Sequence, residues 1–195
     1  MVYQGSKERI AKYILPYIQT CIDDNSLVCY IEPFVGGANV IDKVNADLRV
    51  GIDNNRYLVN LLSYMSLNPT IPAAPVDCDF EYYKKIREAY NKQDFTVSNV
   101  DKAIVGFFAS YGGRFFDGGF ARDKAGKRNI YKERLANEGI CLMLFHLSIY
   151  MYTGRELNLY GMEVRQTRKQ VKNGLQVQFV LLGLFGINII QVNLK

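Results

Sequence analysis

The feature that most constrains the fold is a pair of short apolar segments, LVCYIEPF at 27–34 and LRVGID at 48–53. Apolar runs of this length, bounded by glycine, proline and polar residues, are typical of buried strands. A helix is predicted after each of them, over 38–46 and over 54–66. The order strand, helix, strand, helix predicts an α/β fold whose strands are parallel and joined by right-handed crossovers.

An N-terminal helix is predicted ahead of this unit, over residues 7–20. Ser6 is placed to cap it, and Pro16 is expected to kink or shorten it. Its apolar face is predicted from four residues at helical spacing: Ile10, Ile14, Tyr17 and Ile18.

The proline-rich segment 69–75 marks a boundary or an insertion after the first α/β unit. Two helices are predicted beyond it, over 79–92 and 100–111, followed by a flexible basic loop over 111–134. After this loop the chain contains no proline and no aspartate, so turns and helix caps have few of their usual markers. The final segment, 175–195, is predicted to supply one or two buried strands.

Length and composition predict a single globular domain. The chain has 195 residues, 49% of them hydrophobic, and no uninterrupted apolar run of roughly 18 residues. Its N-terminus has neither a continuous apolar stretch nor a cleavage site, so a cytoplasmic location is expected. Four scattered cysteines and one histidine predict neither a disulfide framework nor a metal site. The histidine, His146, lies in an apolar run and is expected to be structural.

Charge is unevenly distributed along the chain. Residues 125–195 hold 10 Lys and Arg against 4 Glu, a net of +6, whereas residues 1–124 hold 14 basic against 15 acidic residues, a net of −1. A basic half beside a neutral half suits a polyanionic partner. A solvated basic face accounts for the same imbalance equally well.

The turn after the first strand has the features of a nucleotide-cofactor site. Its glycines, Gly36 and Gly37, let a ligand approach the backbone closely and direct N–H groups toward it. Asp53, 17 positions after Gly36 and at the end of the next strand, is placed to accept hydrogen bonds from both ribose hydroxyls. The alternative is a plain strand-to-helix turn in which Asp53 caps the helix at 54–66.

Four segments, in order, resemble Dam-type DNA adenine-N6 methyltransferases, the last of them the phage and bacterial branch: YQGSK at 3–7, YIEPFVGGANV at 30–40, GIDNNRYLVNLL at 51–62 and FFASYGGRFFDGGFAR at 107–122. The resemblance covers about residues 1–134. It implies a Rossmann-like S-adenosylmethionine-dependent methyltransferase fold with a small helical and loop insertion for DNA recognition, and double-stranded DNA as the partner.

The resemblance also implies roles for residues near the first glycine-rich turn. Tyr3 and Lys7 would line the S-adenosylmethionine site, with the Lys7 ammonium near the methionine carboxylate of the cofactor. Asp53 would hold the ribose. The methionine-side loop would comprise Glu32, Pro33, Phe34, Gly36 and Gly37. Without the resemblance, Lys7 would be interpreted as a solvated residue of the first helical turn.

The resemblance divides the domain into a cofactor-binding part (1–66), a target-recognition insertion (67–137) and a C-terminal segment of uncertain structure (138–195). Basic side chains of the insertion would neutralise DNA phosphates while other side chains read base edges. The phenylalanines of its basic loop are expected to pack in the core. The expected DNA contacts are Arg114, Arg122, Lys127 and Arg128.

The catalytic tetrapeptide of the family, (D/N)PP(Y/F), is missing. In the family its acidic or amide side chain and a proline carbonyl accept the hydrogens of the flipped adenine's amino group, and its aromatic residue stacks on the ring. The last proline of this chain is Pro75, and the late acidic residues Glu156 and Glu163 have no motif around them. No catalytic residue is assigned, and little or no methyl transfer by this chain is expected.

Three functions stay open at this point. The first is site-specific methylation of adenine N6 in DNA, with the fold left incomplete at its C-terminus by a truncated or frameshifted reading frame. The second is a non-catalytic cofactor- or DNA-binding remnant of that family. The third is a nicotinamide-dependent oxidoreductase, which is disfavoured because GGAN at 36–39 lacks the GxGxxG spacing and YQGSK has no role there.

Overall fold

The computed structural model describes residues 3–27, 29–67, 77–125, 128–138, 147–151, 176–183 and 186–193, with side-chain surroundings given within 3–136. The helices and strands, in chain order, are α1 (Glu8–Asp24), β1 (Cys29–Glu32), a 3-10 turn (Ile41–Lys43), β2 (Leu48–Asp53), α2 (Arg56–Leu67), α3 (Phe80–Asn91), α4 (Asn99–Phe108), a second 3-10 turn (Tyr111–Gly113), α5 (Ile130–Glu138), β3 (Leu147–Met151), β4 (Gln176–Gly183) and β5 (Gly186–Asn193).

Five strands form one sheet in the order β3-β2-β1-β4-β5. β1 pairs in parallel with β2 and with β4, and β2 pairs in parallel with β3. β5 runs antiparallel to β4. The predicted α/β class with a parallel sheet is therefore observed, apart from this antiparallel strand. The two strands predicted first are β1 and β2, the final segment supplies β4 and β5, and β3 was not predicted.

Helices cover the sheet and pack on one another. α2 lies against β2 and β3 and also contacts α4, which in turn contacts α3 and α5. α1 approaches β4. All four residues of β1 are buried, as expected for a strand at the centre of a parallel sheet. Among the described residues, no helix combines the length and apolar character needed to cross a membrane.

The N-terminal helix begins one residue later than predicted, with Lys7 rather than Ser6 at its N-cap, and runs further than predicted. The Ser6 hydroxyl oxygen accepts the N–H of Glu8 at 3.2 Å. Pro16 lies inside α1, which continues to Asp24. The proline therefore does not shorten the helix.

The buried face of α1 differs from the predicted one. Ile10 and Tyr17 are 51% and 72% exposed. The buried residues are Ala11, Ile18 and Ile22. Of the predicted residues, Ile18 is fully buried and Ile14 packs partly against the core, so the prediction is confirmed for these two and wrong for Ile10 and Tyr17. The spacing of apolar residues predicts the helix, but which of its faces is buried depends on packing against the rest of the fold.

The predicted helix over 38–46 is wrong, because the crossover contains only the 3-10 turn Ile41–Lys43. Ala38 adopts a left-handed backbone conformation with φ of 59°. The buried Glu32 carboxylate accepts the N–H of Ile41 at 3.0 Å. A side chain thus binds a backbone group that an α-helix would use for itself.

Residues 110–122, termed here the aromatic turn, were predicted to be part of a flexible loop and are instead closed by hydrogen bonds. The N–H of Tyr111 donates to the carbonyl of Gly119 at 2.8 Å, and Ala121 donates to Ala109 at 2.7 Å. Inside the turn, the buried Ser110 hydroxyl oxygen accepts the N–H of Phe116 at 2.8 Å. The turn is a folded unit.

The end of the predicted loop is helical, since α5 starts at Ile130. The side-chain oxygen of Asn129 caps its first turn. Arg134 donates to the carbonyls of Phe108 and Ser110 at 2.9 and 2.7 Å. This basic residue, which the sequence placed in the loop, fastens α5 to the end of α4.

Seven aromatic rings form a continuous series through the core, termed here the aromatic series. Centroids of successive rings are 4.7 to 5.9 Å apart, within the range of favourable aromatic contacts. The members in order are Tyr3, Phe107, Phe115, Phe116, Tyr83, Phe120 and Phe80. The three phenylalanines of the aromatic turn pack into the core, as predicted.

Candidate functional site

The strand order places the candidate site at the carboxyl ends of β1 and β4. The chain builds β2 and β3 on one side of β1 and then crosses to the other side for β4. The order reverses between β1 and β4, and ligands of open α/β sheets bind at such a switch point. Residues 33–40, termed here the glycine turn, leave β1 at this point.

The end of β4 lies beside the glycine turn. Ile31 of β1 is paired with Leu181 of β4, so Gly183 reaches the level of the start of the turn. Two residues, Leu184 and Phe185, separate β4 from β5 in the chain. The sequence at this strand end, GLFG, contains no acid, amide or hydroxyl side chain.

The glycine turn is held against β2. Val35 donates its N–H to the carbonyl of Ile52 at 2.9 Å. Gly36 has a φ of 52°, which favours glycine. A Cβ at Gly36 would lie 3.4 Å from the ring of Tyr3. The ring therefore covers the backbone of the turn.

The Asp53 side chain links the glycine turn, which follows β1, to the residues that follow β2. Its carboxylate is 7% exposed, accepts the N–H of Gly36 at 3.0 Å with one oxygen, and accepts the N–H of Asn55 at 3.0 Å with the other. Asn55 in turn accepts the N–H groups of Tyr57 and Leu58 and so caps α2. The capping role that the alternative gave to Asp53 belongs to Asn55, a residue that sequence reasoning missed although an Asn before an apolar helix is a usual cap signal.

Glu32 is the second buried carboxylate of the site and is fully buried. One oxygen accepts the N–H of Ile41, and the other lies 3.0 Å from the ammonium of Lys7. Lys7 also donates to the carbonyl of Phe34. Burial raises the pKa of Glu32, and the positive charge of Lys7 opposes that rise. Lys7 is therefore not a freely solvated residue.

Tyr3 links the turn to the helices. Its ring contacts Phe107 of α4, with centroids 5.7 Å apart. Burial, and next the negative charge of Asp53, raise the pKa of Tyr3, while a hydrogen bond with Asn55 opposes them. The phenol is therefore in its neutral form beside the carboxylate at ordinary pH.

The residues predicted for the cofactor are thus close neighbours. Tyr3 meets Gly36, Gly36 meets Asp53, and Lys7 meets both Glu32 and Phe34. Pro33 and Gly37 belong to the same turn. What these positions bind is addressed below as a proposal.

The four residues predicted to contact DNA have different surroundings. Arg114, Arg122 and Arg128 are exposed, and Lys127 lies outside the described residues. Arg128 is engaged by a two-pronged ion pair with Glu133, in which its Nε lies 2.8 Å from a carboxylate oxygen. This pairing makes Arg128 a weaker candidate for phosphate contact than its exposure suggests.

Arg122 lies on aromatic rings. Its guanidinium carbon is 4.2 Å from the ring centroid of Phe80 and 5.7 Å from that of Phe120. The ammonium of Lys84, which sequence reasoning did not single out, lies 5.7 Å from the Phe80 centroid. Across the described ranges, no group of three or more His, Cys, Asp or Glu residues is arranged to hold a metal ion.

Comparison with known proteins assigns the chain to a family. The model of the family described as D12 class N6 adenine-specific DNA methyltransferase matches residues 3–154, more than half of the chain. A search of curated proteins found no match. The matched range contains both the glycine turn and the aromatic turn. The chain therefore belongs to the D12 class of N6 adenine-specific DNA methyltransferases.

Proposed function

We propose that this chain binds S-adenosylmethionine at the glycine turn and double-stranded DNA through the face carrying the aromatic turn, and that it transfers little or no methyl by itself. The observation that carries the cofactor half is the pair of buried carboxylates, Glu32 and Asp53, held at adjacent strand ends on either side of one glycine turn. The family membership supports adenine methylation in DNA as the reaction class.

The carboxylate of Asp53 suits the ribose of the cofactor. Each of its oxygens accepts one backbone N–H, from Gly36 or from Asn55, and a carboxylate oxygen has room for a second donor. Two ribose hydroxyls would take those two places. Because the N–H bonds fix the orientation of the carboxylate, little ordering would be needed when the ligand binds.

The ammonium of Lys7 suits the carboxylate of the methionine portion. An ammonium has three N–H donors; Lys7 donates one to the carbonyl of Phe34, and its charge pairs with Glu32. A remaining donor would reach the cofactor carboxylate. Glu32 would then act as a positioning residue, since it holds Lys7 in place without itself meeting the cofactor. The bound cofactor would supply an electrophilic methyl group on a sulfonium sulfur.

Double-stranded DNA is proposed as the partner of the exposed basic side chains near the aromatic turn. Arg114 and Arg122 extend from this turn, and Lys84 lies beside it on α3. Cations on a rigid surface suit the phosphates of a duplex, and such contacts set register and orientation.

The described site is proposed to lack a group that catalysis needs. Adenine N6 needs an acceptor for its amino hydrogens before its lone pair can attack a methyl group. The polar side chains that the structure describes at the switch point, Glu32 and Asp53, follow β1 and β2, and the sequence from Gly183 to Gly186 after β4 contains no acid, amide or hydroxyl side chain. The second candidate, complete methylation by this chain, would need an acceptor such as Glu156, Asn158 or Glu163, all of which lie outside the described residues.

The cofactor half is tested by substitution of Asp53. We expect Asp53→Ala to weaken binding of S-adenosylmethionine and of its demethylated product by about 1–3 kcal/mol, because buried hydroxyl groups would lose their acceptor. Isothermal titration measures the change. Asp117→Asn, at an exposed carboxylate of the aromatic turn, is the matched control and should leave affinity unchanged. Equal affinity of Asp53→Ala and the wild type would remove Asp53 from the site.

The catalytic half is tested by methyl transfer. We expect the 195-residue chain to transfer little or no tritiated methyl to adenine-rich duplex DNA, because orientation of reacting groups can supply roughly 7–11 kcal/mol of barrier reduction. Each 1.36 kcal/mol is about tenfold in rate, so even partial loss of orientation places turnover below ordinary detection. An active D12-class enzyme in the same assay is the positive control. Robust N6-methyladenine formation would favour the second candidate.

A further inference from the structure

One face of α1 carries large side chains that the rest of the fold leaves exposed. Ile10, Tyr13 and Tyr17 are 51%, 63% and 72% exposed, and they follow one another at intervals of three and four residues, so they lie in one row on the helix. Thr20 and Asp24 continue this row to the end of α1. Because α1 has 17 residues, the row extends over about 25 Å.

This row is not needed to hold α1 in place. The helix is anchored by its opposite face, where Ala11, Ile18 and Ile22 are buried. Apolar residues scattered singly over a surface are ordinary, but two tyrosines and an isoleucine in one row form a continuous patch. Tyrosine is also enriched where proteins contact one another. The exposed row of α1, Ile10, Tyr13 and Tyr17, therefore has the character of an interface.

The charges of α1 are unfavourable for an isolated helix. Its last turn contains Asp23 and Asp24 and no basic residue. Acidic side chains are disfavoured there, because the carbonyls at a helix C-terminus already carry partial negative charge. Exposed Arg9 and Lys12 lie toward the other end. Between described residues, neither Arg9 nor Asp24 forms an ion pair.

A second copy of α1, running antiparallel, would supply what each end of the helix lacks. The midpoint between Arg9 and Asp24 falls between Pro16 and Tyr17. A two-fold axis at this point would bring Arg9 of each copy to Asp24 of the other copy, as in a self-complementary interface. The same axis would place Tyr17 against its own counterpart and Tyr13 near Thr20 of the second copy. A parallel pair would instead bring like charges together.

We propose that the exposed row of α1 is a self-association surface through which two copies of this chain pair antiparallel. One pair of helices buries less than the roughly 1,200–2,000 Å² of a standard interface. We therefore expect weak association, with a dissociation constant on the order of 10–100 µM. This association depends on neither the proposed cofactor nor the proposed DNA binding.

The test is exchange of the two charges in the full chain. Sedimentation equilibrium from about 1 to about 300 µM covers the expected dissociation constant. Arg9→Asp and Asp24→Arg should each weaken the dimer by about 10-fold or more, because like charges then meet at both symmetry-related positions. The double variant Arg9→Asp, Asp24→Arg should restore the dissociation constant of the wild type, because the same pair forms with its signs exchanged.

Two further variants separate the row from the rest of the surface. Tyr17→Ser should weaken the dimer by about 10-fold or more, because the ring beside the axis is lost from both copies. Arg87→Asp, the same charge reversal at an exposed position of α3, is the matched control and should leave the dimer unchanged. Circular dichroism should show the helix content of the wild type in every variant, since all these positions are exposed.

Three results would overturn the antiparallel pair. The first is a wild type that stays monomeric at the highest concentration, which would leave the row to a different protein or to solvent. The second is a double variant that associates no better than the single variants. The third is a dimer that persists in both Arg9→Asp and Tyr17→Ser, because a second copy would then dock at another surface.

Discussion

The glycine turn and the aromatic turn use the same backbone device and surround it with different side chains. Each contains a glycine in the left-handed region, Gly36 with φ of 52° and Gly119 with φ of 70°. Each is also held by a buried side chain that accepts a backbone N–H: Asp53 in the first turn and Ser110 in the second. Charged groups surround the first device, and phenylalanine and tyrosine rings surround the second.

The two turns differ in how much hydrogen-bonding capacity is left on the side chain that holds each of them. The Asp53 carboxylate still has acceptor capacity after binding Gly36 and Asn55. The Ser110 hydroxyl accepts the N–H of Phe116 and shares a hydrogen bond with Tyr83 at 3.2 Å, which occupies most of its capacity. The first turn therefore keeps acceptor capacity for the proposed cofactor, whereas the second uses its capacity within the fold and carries the proposed DNA contacts on its outer surface.

The same substitution in both turns separates a scaffold from a ligand site. A Cβ at Gly118 would collide with the backbone carbonyl of Tyr111, which is fixed within the turn. We expect Gly118→Ala to lower the free energy of unfolding by about 3 kcal/mol, at the upper end of overpacking costs. At Gly36 the added Cβ meets only the Tyr3 ring at 3.4 Å, and we expect Gly36→Ala to cost about 1–2 kcal/mol from its left-handed backbone.

Urea denaturation of both variants measures these costs, with titration of S-adenosylmethionine as the second readout. Gly118→Ala should leave cofactor affinity unchanged wherever the protein is folded, and Gly36→Ala should lower it. A larger loss of stability in Gly36→Ala than in Gly118→Ala would contradict the structural role given to the aromatic turn.

Substitution of Glu32 tests how much the charged groups around the glycine turn contribute to stability. We expect Glu32→Ala to lower the free energy of unfolding by about 1–3 kcal/mol, because the N–H of Ile41 and the ammonium of Lys7 lose their buried partner. Glu32→Gln, which keeps an oxygen for Ile41, should cost less.

The pH dependence of this effect has a definite sign. Because the pKa of Glu32 is raised in the folded state above its ordinary 4.5, the native protein binds this proton more tightly than the unfolded chain does. The stability from that proton is present below pH 4.5 and is lost as pH rises through the folded pKa. The stability difference between the wild type and Glu32→Gln should therefore become less favourable to the wild type as pH rises. A difference independent of pH would contradict the raised pKa.

These residues also show which parts of the fold and of the candidate site can be predicted from the sequence. The glycine turn and Asp53 could be predicted, because strand punctuation and the spacing of an acidic strand end are local signals. The helix predicted over 38–46 is not formed, because the N–H of Ile41 donates instead to the Glu32 carboxylate, a contact that depends on the fold. The aromatic turn was predicted as a flexible loop, because glycine and arginine content gives no sign of the buried hydroxyl of Ser110.

Other failures have related causes. The spacing of Ile10 and Tyr17 indicated a helix, but two stripes of α1 satisfied the same period and only packing distinguishes them. α5 was missed because its first turn, Ile130–Glu133, follows a run rich in glycine and charge. β3 was missed because the apolar run that contains it fits a buried helix as well as a strand.

The smallest expected effect concerns the charges near the aromatic turn. We expect Arg114→Ala to flatten the slope of log affinity for duplex DNA against log salt by about 0.9, the share of one neutralised phosphate. Arg128→Ala should flatten it less, because Glu133 already binds that guanidinium. Fluorescence anisotropy over a salt series measures the slopes. Glu133→Gln, which frees Arg128, should steepen the slope, and equal flattening by both alanine variants would mean that the ion pair opens when DNA binds.

The aromatic series connects the two proposed binding regions of the chain. It begins at Tyr3 in the N-terminal segment, passes through α4, enters the aromatic turn and ends on α3 at Phe80. The ring of Tyr3 beside the proposed cofactor site and the rings that support the proposed DNA-contacting face therefore belong to one connected set. A substitution at one end of the aromatic series, at Tyr3 or at Phe80, should therefore disturb a core that is shared with the other end.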